Sequence, residues 1–91
     1  MQGKKSKCLQ LAQALGSTIK KYRINVLGKT MSKLADEYEL RSGTLCKVEK
    51  ADGAAKLETI WQIAEAMNIK TSELIKLVEE ELGDDFKFMD E

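Results

Sequence analysis

The stretch that decides the fold lies at residues 30–50, with the sequence TMSKLADEYELRSGTLCKVEK. Leu34 and Ala35 fall in the middle of one helical segment, and Leu45 and Val48 lie three residues apart in the next. The small side chain at position 35 allows a second helix to cross close by. We therefore predict two short helices joined at a steep angle by a turn of three or four residues, which is a helix-turn-helix.

Helical periodicity continues on both sides of that stretch. Apolar residues recur at steps of three and four over about 6–25, where Gly16 interrupts the segment and is expected to divide an extra N-terminal turn from the main helix. Gly28 supplies a stop signal, and further helices are predicted over about 57–68 and 71–82. No strand pattern occurs, so we predict an all-α domain of five helices joined by short turns. The predicted core contains Cys8, Leu11, Ala12, Leu15, Ile19, Tyr22, Met31, Leu34, Ala35, Tyr38, Leu45, Val48, Leu57, Ile60, Trp61, Ile63, Ala64, Met67, Leu74, Ile75, Leu77, Val78 and Leu82.

Capping side chains mark the starts of two of these helices. Thr30 can accept an amide hydrogen from a residue two or three positions further on, which would cap the helix that begins there. Thr71 or Ser72 is expected to cap the last helix, with Glu73 well placed at its positive end.

The two ends of the chain differ from the periodic region. Residues 1–5 predict a short disordered lead, residues 6–82 the folded domain and residues 83–91 an acidic tail. The tail has two Phe and a Met within 86–89, which a purely disordered segment would not need. We expect these side chains to dock on a neighbouring chain or to fold back on the domain.

The formal net charge is zero, but the charges are unevenly divided along the chain. Residues 1–50 carry eleven Lys/Arg against four acidic residues, a net charge of +7, and residues 51–91 carry the opposite charge of −7. One basic face is enough to meet phosphates, so this division favours nucleic-acid binding by the first half. The alternative is a solvated basic half and an acidic half that bind nothing.

The remaining composition argues against several classes of protein. The chain has no histidine, and Cys8 and Cys46 lie far apart without CxxC spacing, so we expect no zinc site, disulfide framework or cofactor. Ser42 and Thr44 have no general base near them, so an enzyme is not expected. No apolar run approaches the roughly 18 residues of a membrane span and no signal-peptide core is present. A cytoplasmic protein that does not engage membranes is therefore expected.

The chain resembles a known family, the lambda-repressor-like, Xre-type helix-turn-helix regulators of bacteria and phages, over about 15–82. The matching residues are Leu34-Ala35, Leu40, Thr44-Leu45, Val48-Glu49, Leu57-Glu58-Thr59-Ile60, Ile63-Ala64-Glu65-Ala66-Met67, Ile69 and Ser72-Glu73-Leu74. The resemblance implies a compact five-helix DNA-binding domain. It also implies a transcriptional repressor that binds a palindromic operator in double-stranded DNA as a homodimer, with its recognition helix at about 42–50.

The resemblance further implies which residues contact DNA. The base contacts would come from Arg41, Ser42, Gly43 and Lys47, and the phosphate contacts from Thr30, Ser32, Lys33, Thr44 and Lys50. Arg23 and Glu49 occupy the positions of a structural ion pair, provided that one extra residue is allowed between Arg23 and Thr30. The planar fork of arginine suits a carboxylate, whereas the alternative is two unrelated surface charges.

Three positions depart from the family pattern and leave an alternative function open. Met31 stands where a phosphate-contacting glutamine is usual, Glu39 where a turn glycine is usual, and Arg41 where a capping serine or threonine is usual. Gly43 also has no side chain with which to contact a base. These features and the acidic second half favour the alternative, a protein-binding module on the same fold, such as an antitoxin or anti-repressor with weak or no DNA binding.

Overall fold

The computed structural model describes residues 3–37, 42–51 and 55–89, without the side chains of residues 3–6, 37 and 42. Within these residues the chain is helical and contains no strand. The helices are α1 (Gly3–Tyr22), α2 (Met31–Glu37), α3 (Ser42–Glu49), α4 (Leu57–Ala66) and α5 (Thr71–Leu82), and a π-helical turn at Arg23–Leu27 follows α1. The prediction of an all-α chain with five helices is confirmed.

The core lies where α1 packs against α5 and α3, with α2 and α4 closing its remaining sides. The hydrophobic side chains buried there are Ala14, Leu15, Ile19, Leu34, Ala35, Leu45, Val48, Ile63, Ala64, Ala66, Met67, Leu74 and Val78. Burying one large apolar side chain contributes about 1.5–3 kcal/mol. Since α1 packs against both α3 and α5, it links these two helices through the core.

Several predicted core residues lie on the surface instead. Leu57 is 67% exposed, Trp61 53% and Ile75 38%, and Cys8 and Leu11 on α1 are exposed as well. The apolar stripe on α4 is wider than the surface that α2 and α5 cover. Periodicity identifies the apolar side of a helix but does not say how much of that side a neighbour reaches.

Gly16 does not interrupt α1, so the prediction of a separate N-terminal turn is wrong. The helix is continuous from Gly3, inside the residues expected to form the lead, to Tyr22. A Cβ atom at position 16 would lie 2.5 Å from the carbonyl oxygen of Val48 and 2.6 Å from that of Glu49. Glycine therefore allows the backbone of α1 to approach the C-terminal end of α3.

The segment between α1 and α2 has the predicted signals at both of its ends. Gly28 ends the π-helical turn with φ at 62°, and its N–H donates to the carbonyl oxygen of Arg23. Thr30 caps α2, because its Oγ1 accepts a hydrogen bond of 3.1 Å from the N–H of Lys33. Both predictions are confirmed. A π turn holds more residues than an α turn, so it accommodates the extra residue that the resemblance required here.

The start of α5 differs from the prediction that Thr71 or Ser72 caps it. The N-cap residue is Lys70, and its backbone N–H donates to Oε1 of Glu73 over 3.1 Å. The Glu73 carboxylate thus lies at the positive end of the helix, as expected, and it takes over the capping role.

The C-terminal segment after α5 folds back on α1, which is one of the two predicted arrangements. The Nζ atom of Lys7 lies 5.2 Å from the centroid of the Phe86 ring, within the range of a cation–π contact. Phe88 lines a small apolar cleft together with residues of α1 and α5, which include Cys8, Leu11, Ile75 and Val78. The two phenylalanines of the tail therefore lie against the domain, whereas Met89 is 66% exposed.

Replacing Gly16 tests the close approach of α1 to α3. We expect Gly16→Ala to lower the free energy of unfolding by about 1–3 kcal/mol, because the new methyl group meets backbone atoms that must move. Urea unfolding measures the change. Gly43→Ala is the matched control, since a Cβ there meets nothing within 4 Å, and alanine in a helix is expected to raise stability by up to about 1 kcal/mol. Equal stabilities of the two variants would contradict the packing role of Gly16.

Candidate nucleic-acid interface

An ion pair fixes the C-terminal end of α3 to the start of the π-helical turn. Nε of Arg23 donates to Oε2 of Glu49 over 2.8 Å, and Nη2 donates to Oε1 over 3.0 Å, so the pair is bidentate. Nη1 of Arg23 donates to the carbonyl oxygen of Lys29 over 2.9 Å. The structure therefore brings together the two residues for which the resemblance implied an ion pair.

This pair is almost completely removed from solvent. The side chains of Arg23 and Glu49 are 9% and 4% exposed. The hydrogen bond to Glu49 raises the pKa of the Arg23 guanidinium above its already high value, although burial acts in the opposite direction. Arg23 consequently keeps its charge, and each partner leaves a buried, unpaired charge behind if the other is removed.

The helix α3 has one face in the core and the opposite face in solvent. Leu45 and Val48 are 1% and 8% exposed. The described residues that were predicted to contact DNA from α3 and the position after it are half-buried or exposed, and they are Gly43, Thr44, Lys47 and Lys50. A helix with this division can place its outer face in the major groove, where a lysine can donate to O6 and N7 of guanine.

The residues at and before the start of α2 that were predicted to contact phosphates are exposed. Thr30, Ser32 and Lys33 all reach solvent. The Thr30 hydroxyl accepts the hydrogen bond that caps α2, and its own proton stays available to donate to a phosphate oxygen. Met31, which was predicted to replace a phosphate-contacting glutamine, is half-buried and packs against the core.

Two of the predicted base contacts cannot be placed in this interface. Arg41 lies outside the described residues, as does the side chain of Ser42. The turn residue Glu39 and the predicted core residue Tyr38 also fall outside them. Of the four residues predicted to contact bases, the described ones are therefore Gly43 and Lys47.

A second polar link joins α1 to α5 and has no counterpart in the sequence-based predictions. Nζ of Lys21 lies 3.0 Å from Oε1 of Glu81, and the hydroxyl of Ser17 donates to Oε2 of the same carboxylate over 3.3 Å. The hydrogen bond from Lys21 lowers the pKa of Glu81. The partners lie on helices that are far apart in the chain, so no local pattern could have identified them.

Comparison with known proteins identifies no relative. The chain matches no protein-family model, no curated protein and no solved structure. Among the described residues there is no group of three or more His, Cys, Asp or Glu that could hold a metal ion. No described helix combines the length and the apolar character needed to cross a membrane.

Removing Glu49 tests the buried ion pair. We expect Glu49→Ala to lower the free energy of unfolding by about 3–5 kcal/mol, because Arg23 is left charged and buried without its partner. Urea unfolding followed by circular dichroism measures this change. The control is Lys21→Ala, which breaks a pair whose side chains are 61% and 32% exposed and should change stability only slightly. A loss no larger than that of the control would contradict the bracing role of Arg23 and Glu49.

Proposed function

We propose that this chain is a sequence-specific DNA-binding transcriptional regulator, a repressor that contacts a palindromic operator through α3. One observation carries the proposal: α3 is held rigidly at its C-terminal end while its outer face, with Lys47, stays in solvent. The support comes from the close approach at Gly16 and from the bidentate pair of Arg23 and Glu49. Firm attachment of α3 to the domain favours DNA recognition, because base contacts depend on a fixed helix orientation.

The distribution of charge supports the same proposal. The exposed lysines at positions 33, 47 and 50 belong to the half of the chain that carries a net charge of +7. Each phosphate that such a lysine neutralises releases counterions from DNA. The proposed complex is therefore expected to weaken steeply as salt concentration increases.

The proposed dimer needs an interface, and an exposed apolar surface on α4 and α5 fits it. The α4–α5 face consists of Leu57, Trp61 and Ile75, and Trp61 and Ile75 border a common hollow with Glu65 and Lys70. A second copy of the chain suits this face. Each copy of a two-fold dimer contributes both Glu65 and Lys70, so Glu65 of one copy can pair with Lys70 of the other. Binding to a palindromic operator requires the two recognition helices of such a dimer to lie about 34–36 Å apart, one turn of DNA.

A second candidate function is a protein-binding module on the same fold, an antitoxin or anti-repressor. The packing of Met31 against the core favours it, since this residue replaces a phosphate contact of the family with an apolar one. Gly43 on the outer face of α3 also has no side chain to offer a base. In this case the α4–α5 face and the acidic second half would meet a different protein.

Selection of binding sites from random double-stranded DNA separates the two candidates. We expect the parent protein to enrich one motif, and Lys47→Ala to bind that motif about 5–150 times more weakly, as expected for the loss of one good base contact of about 1–3 kcal/mol. The affinity is measured by fluorescence anisotropy. Lys76→Ala removes an exposed lysine of α5 and serves as the control with unchanged affinity. If no motif is enriched, the repressor proposal fails and the protein-binding module is favoured.

Shortening Trp61 tests the α4–α5 face as a homodimer interface. We expect Trp61→Ala to raise the dissociation constant of the dimer at least about 30-fold, because buried tryptophans commonly contribute 2 kcal/mol or more at interfaces. Analytical ultracentrifugation over a range of concentrations measures it. Leu9→Ala is the control, since Leu9 is 51% exposed on α1 and lies outside this face. A parent chain that is monomeric, or a variant that dimerises as before, would contradict this interface.

A further inference from the structure

The small apolar cleft that Phe88 lines lies next to the α4–α5 face and is bounded by α1, α4, α5 and the C-terminal tail. It has a volume of about 270 Å³, and none of the described residues that line it carries a charge. Leu11 and Ile75 line the cleft and are themselves exposed, so it opens to solvent. Such a cleft offers water few hydrogen-bonding partners, so an apolar side chain that filled it would be stabilised there.

Trp61 protrudes beside this cleft and does not fill it. Trp61 and Ile75 border the hollow at the α4–α5 face, and Ile75 also lines the cleft, whereas Trp61 does not. Ile75 therefore stands between a protruding aromatic side chain and an unfilled apolar cleft. More than half of the tryptophan side chain is exposed, although a fully buried aromatic side chain removes about 150–250 Å² from water. One chain thus carries both parts of a complementary contact that it does not make with itself.

A two-fold axis that runs between α4 and α5 brings these two parts together in a pair of chains. Such an axis lays α4 of one copy over α5 of the other, and every contact then occurs twice. Glu65 on α4 faces Lys70 at the start of α5 in the second copy. The same rotation carries Trp61 on α4 across Ile75 of the second copy and towards the cleft beside it. One symmetry operation therefore accounts for both the charged and the apolar side chains.

We propose that Trp61 of each copy inserts into the apolar cleft of the other copy. This inference rests on the proposed homodimer across the α4–α5 face and extends that interface to α1 and to the tail, which supply Leu11 and Phe88 as walls of the cleft. A tryptophan in a desolvated pocket is a common source of binding energy at protein interfaces, and aromatic rings such as those of Trp61 and Phe88 pack favourably against each other. The tail that folds back on the domain thereby completes the binding surface for the second copy.

The fluorescence of Trp61 reports on this contact, because it is the only tryptophan of the chain. We expect its emission to move to shorter wavelength, and its quenching by acrylamide to fall, over the range of protein concentration in which analytical ultracentrifugation detects dimers. Emission and quenching that stay constant while the chain dimerises would overturn the proposal.

A matched pair of variants distinguishes insertion into the cleft from packing of the α4–α5 face alone. Leu11→Ala and Leu9→Ala each shorten an exposed leucine of α1, and of these two residues only Leu11 lines the cleft. We expect Leu11→Ala to raise the dissociation constant of the dimer about 5–30-fold, because part of the apolar contact is lost, and Leu9→Ala to leave it unchanged. Phe88→Ala removes another wall of the cleft near the end of the chain and should also weaken the dimer. Circular dichroism measures whether each variant is folded.

The outcomes separate this inference from the proposed function. A dimer that is weakened by Trp61→Ala but not by Leu11→Ala or Phe88→Ala would overturn insertion into the cleft and leave the α4–α5 interface standing. A parent chain that stays monomeric at every concentration would overturn both. All of these measurements are made without DNA, so their results do not depend on whether the chain binds an operator.

Discussion

The buried ion pair of Arg23 and Glu49 is the interaction on which the placement of α3 and of the entry to α2 depends. Two charges that are less than one-tenth exposed tolerate burial only when they meet in good geometry, and the bidentate contact provides it. The third nitrogen of the guanidinium donates to the carbonyl oxygen of Lys29, so the same side chain also fixes the loop before α2. One arginine thus connects the π-helical turn, the entry to α2 and the end of α3.

The helix α1 packs against both α3 and α5 and continues into the π-helical turn. Around position 16 it contacts the end of α3, around positions 17 and 21 it is linked to α5, and at its C-terminal end it leads into Arg23. Because α1 contacts α5 and α3 through different residues, the position of α3 relative to α5 is set by α1. The outer face of α3 is consequently oriented by residues that do not themselves reach the solvent side of that helix.

The features that the sequence predicted correctly are those whose cause is local. The stop at Gly28 and the cap at Thr30 depend on neighbours a few positions away, and Leu45 and Val48 lie on the apolar side of one short helix. The ion pair of Arg23 and Glu49 was implied only by resemblance to a family, because nothing local joins residues 26 positions apart. Gly16 was misinterpreted as a helix break, since the reason for its small size is the backbone of another helix. Leu57 and Trp61 were wrongly predicted to be buried for a similar reason. Whether another helix packs over an apolar side chain depends on the whole fold and not on the local sequence.

The contact at Gly16 also restricts how the chain can change in the course of evolution. Carbonyl oxygens cannot be replaced by mutation, so no substitution in α3 can make room for a side chain at position 16 unless the two helices move apart. Moving them apart would also separate Arg23 from Glu49. Substitutions on the exposed outer face of α3 leave this contact intact, so that face can change during evolution. A substitution of Gly16 in α1 would displace α3, so position 16 is expected to remain glycine.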